Sequence, residues 1–185
     1  MIGTGVQALI FDFDGTLVDS DAALVRPFIV LGVPPDEISF GHAIGEECAR
    51  LEISLDRYVE LYDESTVQPF PGVADVVAQL DRWAISSNKH PVSGQAELDR
   101  LGWHPDVALF ADHFDWAHKS IAPVLERMGL RAADVVMVGD SHGDVHCADE
   151  VGCAFVWAGW NPRVAGARPA GRVLSQPGEL LDLLD

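Results

Sequence analysis

The stretch from Val6 to Thr16 reads VQALIFDFDGT, and its interpretation decides the fold predicted for the rest of the chain. Its first six residues are mostly apolar, as in a buried strand, and acidic residues follow at once. Since successive side chains on a strand alternate, Asp12 and Asp14 are expected to point to the same face. Two carboxylates this close repel each other unless a proton or a cation lies between them, and Mg²⁺ is a suitable ion.

The dipeptide Asp14–Gly15 is also typical of a hairpin turn, and taken alone it favours that interpretation. A turn leaves Asp12 unexplained, however, and no second strand follows to complete a hairpin. We therefore expect both acids to serve a site at the carboxyl end of a first strand.

Four further apolar runs lie along the chain, with helical patterns between them. This alternation predicts an α/β protein with a Rossmann-like, three-layer architecture, in which one parallel sheet lies between helices. A last short helix is expected from Pro177 to Leu184. The five predicted strands are Val6–Phe11, Trp83–Ser86, Val107–Phe110, Val135–Val138 and Ala154–Trp157.

Residues 20–66 break the alternation, because they carry helical patterns and no convincing strand. The segment Gln68–Gly72, which reads QPFPG, then returns the chain to the alternating pattern. We therefore expect an α/β core formed by residues 1–19 and 67–185, and a small all-helical insert formed by residues 20–66.

The run VVMVGDSHGD places Asp140 at the end of a predicted strand and Asp144 four residues later. Open α/β sheets bind their ligands at the carboxyl ends of the strands, so the carboxylate of Asp140 is expected at the ligand-binding edge. The alternative interpretation is a capped helix, with Asp140 or Ser141 as the N-cap and Asp144 as an acid of the first turn.

The run AISSNKHP ends another strand in Ser86, Ser87, Asn88 and Lys89. Hydroxyl and backbone N–H groups at the start of a helix can bind an anion. Ordinary capping of the helix by Ser or Asn is the alternative interpretation.

Lys119 is one of only two lysines, and it precedes the helical pattern SIAPVLERMGL. A cation at a helix start opposes the helix dipole, so its position indicates a role beyond stability. Simple exposure to solvent is the alternative.

These residues together suit phosphoryl transfer, which depends mostly on positioning and on neutralising charge. The chain also resembles the haloacid dehalogenase (HAD) superfamily, in its phosphoglycolate-phosphatase-like branch. The resemblance rests on DFDGT (Asp12–Thr16), PFPGV (Pro69–Val73), SNK (Ser87–Lys89), Lys119 and GDSHGD (Gly139–Asp144). It implies a HAD-like core, with residues 20–66 as a cap that is shorter than usual.

The resemblance also implies the chemistry of the acids. Asp12 would be the nucleophile that forms an aspartyl-phosphate, and Asp14 would protonate the leaving group and then activate water. Mg²⁺ would be held by Asp12, by Asp140 and by the backbone carbonyl of Asp14, with Asp144 in support. The presence of Asp14 favours phosphate chemistry over dehalogenation.

The phosphoryl group would be bound by Ser87, by Lys119 and by the backbone N–H of Asn88, according to the same resemblance. Lys119 is followed by Ser120, where many relatives have proline, and the distance in sequence to Asp140 is short. Lys89 is therefore the alternative phosphate-binding lysine.

The function expected is a Mg²⁺-dependent phosphomonoester hydrolase that acts on a small phosphorylated metabolite. A phosphomutase of the same superfamily is one alternative, and a receiver-like signalling module with a phosphorylatable aspartate is another. Contacts between substrate and insert could come from Arg26, His42, Arg50 and Arg57, although each is more often an exposed helix residue.

The charge of the chain limits its partners. Its 29 acidic and 12 basic residues give a net charge of −17, which disfavours binding to nucleic acid or to an anionic membrane. Three cysteines without a CxxC motif indicate free thiols in a reducing compartment. The start of the chain has no basic region and reaches an acid at Asp12, so a signal peptide is not expected and a cytoplasmic protein is.

Overall fold

The computed structural model describes residues 5–39 and 43–184. These residues include eight strands, numbered in chain order: β1 (Ala8–Phe11), β2 (Val18–Asp19), β3 (Gln68–Pro69), β4 (Trp83–Ser86), β5 (Val107–Leu109), β6 (Val135–Gly139), β7 (Ala154–Ala158) and β8 (Val173–Leu174). Six of them form one parallel sheet in the order β5-β4-β1-β6-β7-β8. β1 therefore lies inside the sheet, between β4 and β6.

The α-helices alternate with these strands through most of the chain. They are α1 (Asp21–Val30), α2 (Ile44–Arg50), α3 (Leu55–Leu61), α4 (Val73–Val77), α5 (Pro91–Leu101), α6 (Ala122–Met128), α7 (His142–Val151) and α8 (Pro162–Ala167). Short 3-10 helices span Pro35–Glu37, Glu64–Thr66, Ala111–Phe114, Ala132–Asp134 and Pro177–Leu183.

The side chains of β1 divide between two hydrophobic clusters, as the alternation of a strand requires. Leu9 and Phe11 belong to the cluster that includes apolar residues of α4 and α5, whereas Ala8 and Ile10 belong to the cluster with residues of α6 and α7. All four are fully buried. The sheet is thus covered on both faces, and the predicted three-layer α/β fold is confirmed.

The helices α1, α2 and α3 lie between β2 and β3 in the chain. These two strands form a separate antiparallel pair, in which Val18 faces Pro69. Phe28 of α1 and Tyr58 of α3 pack together, with ring centroids 4.7 Å apart, and both belong to the same cluster as Phe11. Apolar contacts therefore connect these helices to the sheet.

The structure differs from the predicted elements in several places. β1 begins at Ala8 rather than at Val6, and β5 ends at Leu109 because a 3-10 helix begins at Ala111. The strands β2, β3 and β8 were not predicted, since two residues are too few to show a periodic pattern. The last short helix is present as expected, as a 3-10 helix over Pro177–Leu183.

Two further features are the absence of a membrane-spanning helix among the described residues and the state of the cysteines. No helix within residues 5–39 and 43–184 is long and apolar enough to cross a membrane. The thiols of Cys48, Cys147 and Cys153 are free, and the first two are buried.

The central position of β1 gives a prediction for stability. Ile10→Ala should lower the free energy of unfolding by about 2–5 kcal/mol, because it leaves a cavity among fully buried side chains. Val92→Ala is the control, since Val92 is exposed on α5 and its loss should change the free energy by less than about 0.5 kcal/mol. Urea unfolding curves measure both values. Equal effects would contradict the assignment of β1 to the interior.

Candidate active site

The candidate residues meet at the carboxyl ends of β1, β4 and β6, together with the loop before α6. This is the edge at which open α/β sheets bind ligands. A cavity of about 650 Å³ lies there, between the sheet edge and residues of α1, α2 and α3. The predicted site residues Asp12, Asp14, Ser87, Asn88, Lys119 and Asp140 all line it.

Lys119 bridges two carboxylates at the floor of the cavity. Its Nζ lies 2.6 Å from Asp12 Oδ1 and 2.6 Å from Asp144 Oδ1. The Lys119 side chain is only 5% exposed, which is inconsistent with the alternative that it points into solvent. Burial alone would lower the pKa of Lys119, but the charges of Asp12 and Asp144 outweigh burial and raise it. Lys119 therefore stays charged between the two acids.

The loop that carries Lys119 is held by neighbouring elements and not by a helix terminus. α6 begins at Ala122, so the prediction that Lys119 starts the helix is wrong, and the argument that its charge opposes a helix dipole does not apply. The backbone N–H of Lys119 donates to Asn88 Oδ1 at 3.0 Å, and its carbonyl accepts from Cys147 Sγ at 3.0 Å. The side chain of Asn88 thus positions Lys119, a contact that the sequence did not predict.

Asp144 has a capping role and also contacts the site. Its Oδ2 accepts hydrogen bonds from the backbone N–H groups of Asp140 and Ser141, at 3.1 and 2.9 Å, while Ser141 caps α7 in return. Its Oδ1 faces Lys119. Gly139 is needed here, because a Cβ at this position would lie 2.3 Å from the Cβ of Asp144. The capped-helix interpretation is confirmed for Asp144, and the same residue also contacts Lys119 of the candidate site.

Asp12, Asp140 and Asp144 form a carboxylate cluster, in which one oxygen from each lies within 4.8 Å of the others. Burial raises the pKa of Asp12, although Lys119 opposes the shift. Burial also raises the pKa of Asp140 to about 8, with further contributions from the charges of Asp12 and Asp144. Oxygen ligands with an excess of negative charge suit a hard divalent cation.

Asp14 lies outside this cluster, because its side chain turns to the second lysine. Lys89 Nζ donates to Asp14 Oδ1 at 2.8 Å and to the hydroxyl of Tyr62 at 2.9 Å, and it lies 3.1 Å from Glu97 Oε1. The hydroxyl of Tyr62 in turn donates to Glu97 at 2.6 Å. The Lys89 ammonium group thus has three partners, and this geometry favours Lys119 over Lys89 as the phosphate-binding lysine.

β4 ends at Ser86, and Ser87 follows it. Both serines are buried, but their contacts differ. The hydroxyl of Ser86 donates to the carbonyl of Ser120 at 3.0 Å, which connects β4 to the loop of Lys119. Ser87 lines the cavity, and its hydroxyl accepts from the backbone N–H of Lys89 at 3.3 Å. The Ser87 hydroxyl can therefore still donate its own proton toward the cavity.

Four residues of this site were missed from the sequence: Tyr62, Glu97, Asn161 and Arg163. Arg163 Nη2 lies 2.9 Å from Asp140 Oδ2, and its Nε lies 2.9 Å from Asp21 Oδ2 in α1. Asn161 donates to the carbonyl of Gly15 at 2.7 Å. The dipeptide Asn161–Pro162 after β7 is a helix-start signal at the same sheet edge, and it could have identified this loop.

The arginines of residues 20–66 do not line the cavity. Arg26 is exposed, with Asp63 at 3.9 Å, and Arg57 pairs with Glu60 on the surface. Arg50 is held by Glu47, through two contacts of 2.7 Å. His42, the fourth candidate contact, lies outside the described residues.

A scan against family models matches residues 6–152 to the haloacid dehalogenase-like hydrolases. Among curated proteins, the chain is 30% identical to "Probable phosphatase IndB" of Dickeya dadantii, over 82% of this chain and 80% of that protein. It is 26% identical to a phosphoglycolate phosphatase of Xanthomonas campestris pv. campestris, over 94% of both chains. It is 25% identical to the N-acetylmuramic acid 6-phosphate phosphatase of Pseudomonas aeruginosa, over 97% of this chain and 95% of that one.

Solved structures give the same fold. A putative phosphoglycolate phosphatase from Lactobacillus plantarum superposes with a TM-score of 0.77 at 21% identity, covering 98% of this chain and 100% of the other. The L-2-haloacid dehalogenase of Xanthobacter autotrophicus superposes with a TM-score of 0.69 at 18% identity, covering 96% and 98%. Identities this low support the shared architecture and not a shared substrate.

The raised pKa of Asp140 predicts how pH affects stability without metal. Folding moves this pKa from 3.8 to about 8. The ionised carboxylate therefore lowers the stability of the folded state progressively as the pH rises from 3.8 to about 8. In EDTA, Asp140→Asn should therefore raise the melting temperature by at least ~2 °C more at pH 9 than at pH 5. Differential scanning calorimetry measures the difference, and an effect independent of pH would contradict the shift.

The buried contacts of Lys89 predict a large structural effect. Lys89→Met should destabilise the fold by about 3–5 kcal/mol, because it leaves Asp14 and Glu97 without their cation. The double variant Lys89→Met with Glu97→Leu should recover part of this loss, since it also removes the unpaired buried acid. Urea unfolding of both variants is the measurement. A single variant as stable as the wild type would refute the burial of this charge network.

Proposed function

We propose that this chain, which belongs to the haloacid dehalogenase-like hydrolase family, is a Mg²⁺-dependent phosphomonoester hydrolase with an aspartyl-phosphate intermediate. The curated relatives described above are named as phosphatases, which supports the proposal. One observation carries the proposal. Asp12 is held by Lys119 and forms a carboxylate cluster with Asp140 and Asp144, in a cavity that Asp14 also lines.

Asp12 is proposed as the nucleophile. Lys119 donates to its Oδ1 and so fixes the orientation of the carboxylate. A carboxylate oxygen of Asp12 attacks phosphorus, the bond from phosphorus to the ester oxygen breaks, and an aspartyl-phosphate forms. Lys119, the hydroxyl of Ser87 and the backbone N–H of Asn88 are proposed to bind the phosphoryl oxygens and to neutralise their charge.

Asp14 is proposed as the general acid and then the general base. It gives its proton to the departing ester oxygen, which leaves as an alcohol. In the second step it takes a proton from the water that attacks phosphorus, and the release of phosphate regenerates Asp12. The contact of Lys89 with Asp14 Oδ1 fixes one oxygen of this carboxylate and leaves the other for proton transfer.

The carboxylate cluster fits a divalent cation, since its three members are close together and the pKa values of Asp12 and Asp140 are raised in the absence of one. Mg²⁺ would be held by Asp12, Asp140 and the backbone carbonyl of Asp14, with Asp144 in support. When bound, it would supply positive charge to the phosphoryl oxygens. Asp144 and Arg163 keep the Asp140 loop in place.

Catalysis by Asp12 and Asp14 predicts a specific pattern of losses. Release of phosphate from p-nitrophenyl phosphate in Mg²⁺ should fall below detection in Asp12→Asn, and by about 10²–10⁴-fold in Asp14→Asn. Asp75→Asn, which changes an exposed acid on α4, is the control and should keep full activity. Wild-type turnover retained in Asp12→Asn would refute the mechanism. Turnover that needs an added sugar acceptor would instead indicate a phosphomutase.

Metal binding can be measured without turnover. Mg²⁺ should raise the melting temperature of the wild type, because a ligand that binds only the folded state stabilises it. Asp140→Asn should lose most of this rise, whereas Asp75→Asn should retain it. A rise of equal size in Asp140→Asn would place the Mg²⁺ site elsewhere.

A further inference from the structure

We infer that the substrate is the phosphate ester of an alcohol with an uncharged, mainly apolar body, and not a phosphorylated short carboxylic acid. This inference rests on the proposed phosphatase function and concerns the part of the cavity beyond the phosphoryl site. The observations that carry it are the lining that residues 20–66 provide and the pairing of the nearby cations.

The lining that α1, α2, α3 and their adjoining segments provide is mainly apolar and aromatic. Its polar members are Ser39 and Glu47, and its apolar and aromatic members are Leu24, Phe28, Ile38, Ile44, Tyr58 and Tyr62. These side chains line the same cavity as Asp12 and Lys119, so an ester whose phosphoryl group is bound at those two residues would place its alcohol part in contact with this lining. An apolar lining of this kind favours an apolar body.

The charged group that this lining contains, Glu47, is already paired with a cation. Glu47 is the one ionisable acid or base that the described part of residues 20–66 contributes to the cavity, apart from the two tyrosines, and its carboxylate is bridged by Arg50. Arg26 and Arg57 lie elsewhere on the surface. A carboxylate on the substrate would therefore meet Glu47 and apolar side chains in this region, and no unpaired arginine from the described residues.

The cations of the sheet edge are paired as well. Lys119 is held by Asp12 and Asp144, Lys89 by Asp14 and Glu97, and Arg163 by Asp140 and Asp21. In the proposed mechanism Lys119 already serves the phosphoryl group. A substrate carboxylate that bound Lys89 or Arg163 would compete with the acids that these cations contact, which costs free energy. The cavity, at about 650 Å³, is also much larger than a two-carbon acid phosphate needs.

The inference is tested first by binding, with two phosphonates that differ by one carboxylate. Isothermal titration calorimetry of the Mg²⁺-loaded protein should show that phenylphosphonate binds at least ~10-fold more tightly than 4-carboxyphenylphosphonate. The measurement is made at pH 8, where an ordinary histidine is neutral and cannot pair with the carboxylate. Equal affinities, or tighter binding of the carboxylated compound, would overturn the inference whether or not the protein turns over a substrate.

Turnover separates this inference from the proposed function. The ratio of kcat/KM for phenyl phosphate to that for 4-carboxyphenyl phosphate should be at least ~10, and 2-phosphoglycolate should be a poorer substrate than phenyl phosphate. Hydrolysis of all three with a preference for the carboxylated esters would sustain the phosphatase and refute the apolar body. Hydrolysis of none would refute the phosphatase, and the binding ratio would still decide the inference.

A variant in the lining makes the test independent of the choice of compounds. Leu24 is half-buried, so Leu24→Arg places a new cation at the apolar wall. It should lower the discrimination against 4-carboxyphenylphosphonate by at least ~5-fold, whereas Leu24→Met, which keeps the wall apolar, should leave it unchanged. If Leu24→Arg fails to fold, Ile38→Arg at the same wall is the second variant. Unchanged discrimination in a folded arginine variant would show that this wall does not contact the alcohol part.

Discussion

A single buried ammonium group, that of Lys119, allows three carboxylates to lie within a few ångströms of one another in a chain that already carries a net charge of −17. Burial raises the pKa of both Asp12 and Asp140, and the charge of Lys119 opposes each shift. The position of Lys119 depends on its hydrogen bonds with Asn88, in the loop after β4, and with Cys147, in α7. Three elements of the core thus have to be assembled before Asp12 has a defined orientation.

Lys89 forms a second charge network that connects residues 20–66 with the sheet edge. Tyr62, which directly follows α3, donates to Glu97 of α5 and accepts from Lys89, which in turn contacts Asp14. Burial raises the pKa of Glu97 to about 7, although Lys89 opposes this shift. Arg163 makes a similar connection on the other side, between Asp21 of α1 and Asp140. Both connections end on an acid of the candidate site, so the orientation of α1 and α3 and that of the acids are coupled.

Local sequence patterns predicted the parts of the site that local structure determines. An apolar run followed by acid identified β1 with Asp12 and Asp14, and another identified β6 with Asp140, because the end of a strand is encoded by adjacent residues. The partners of these acids could not be predicted in the same way. Glu97 occupies a buried position on a helix where an acid is ordinarily exposed, and its burial depends on Lys89 and Tyr62, which are distant in sequence. The strand β8 was missed because its two residues are defined as a strand by their hydrogen bonds to β7 and not by a local sequence pattern.

Asp144 shows why structural and functional interpretations of one residue need not exclude each other. One of its oxygens caps α7 and orders the backbone of Asp140 and Ser141, and the other contacts Lys119. The hydrogen bonds of the cap fix the carboxylate, so the charge that Lys119 meets is held in place without further contacts. The same bonds fix the start of the helix that follows β6. A helix cap at the carboxyl end of a strand is therefore a means of placing a rigid negative charge at a sheet edge, and in this protein that charge orients Lys119 toward Asp12.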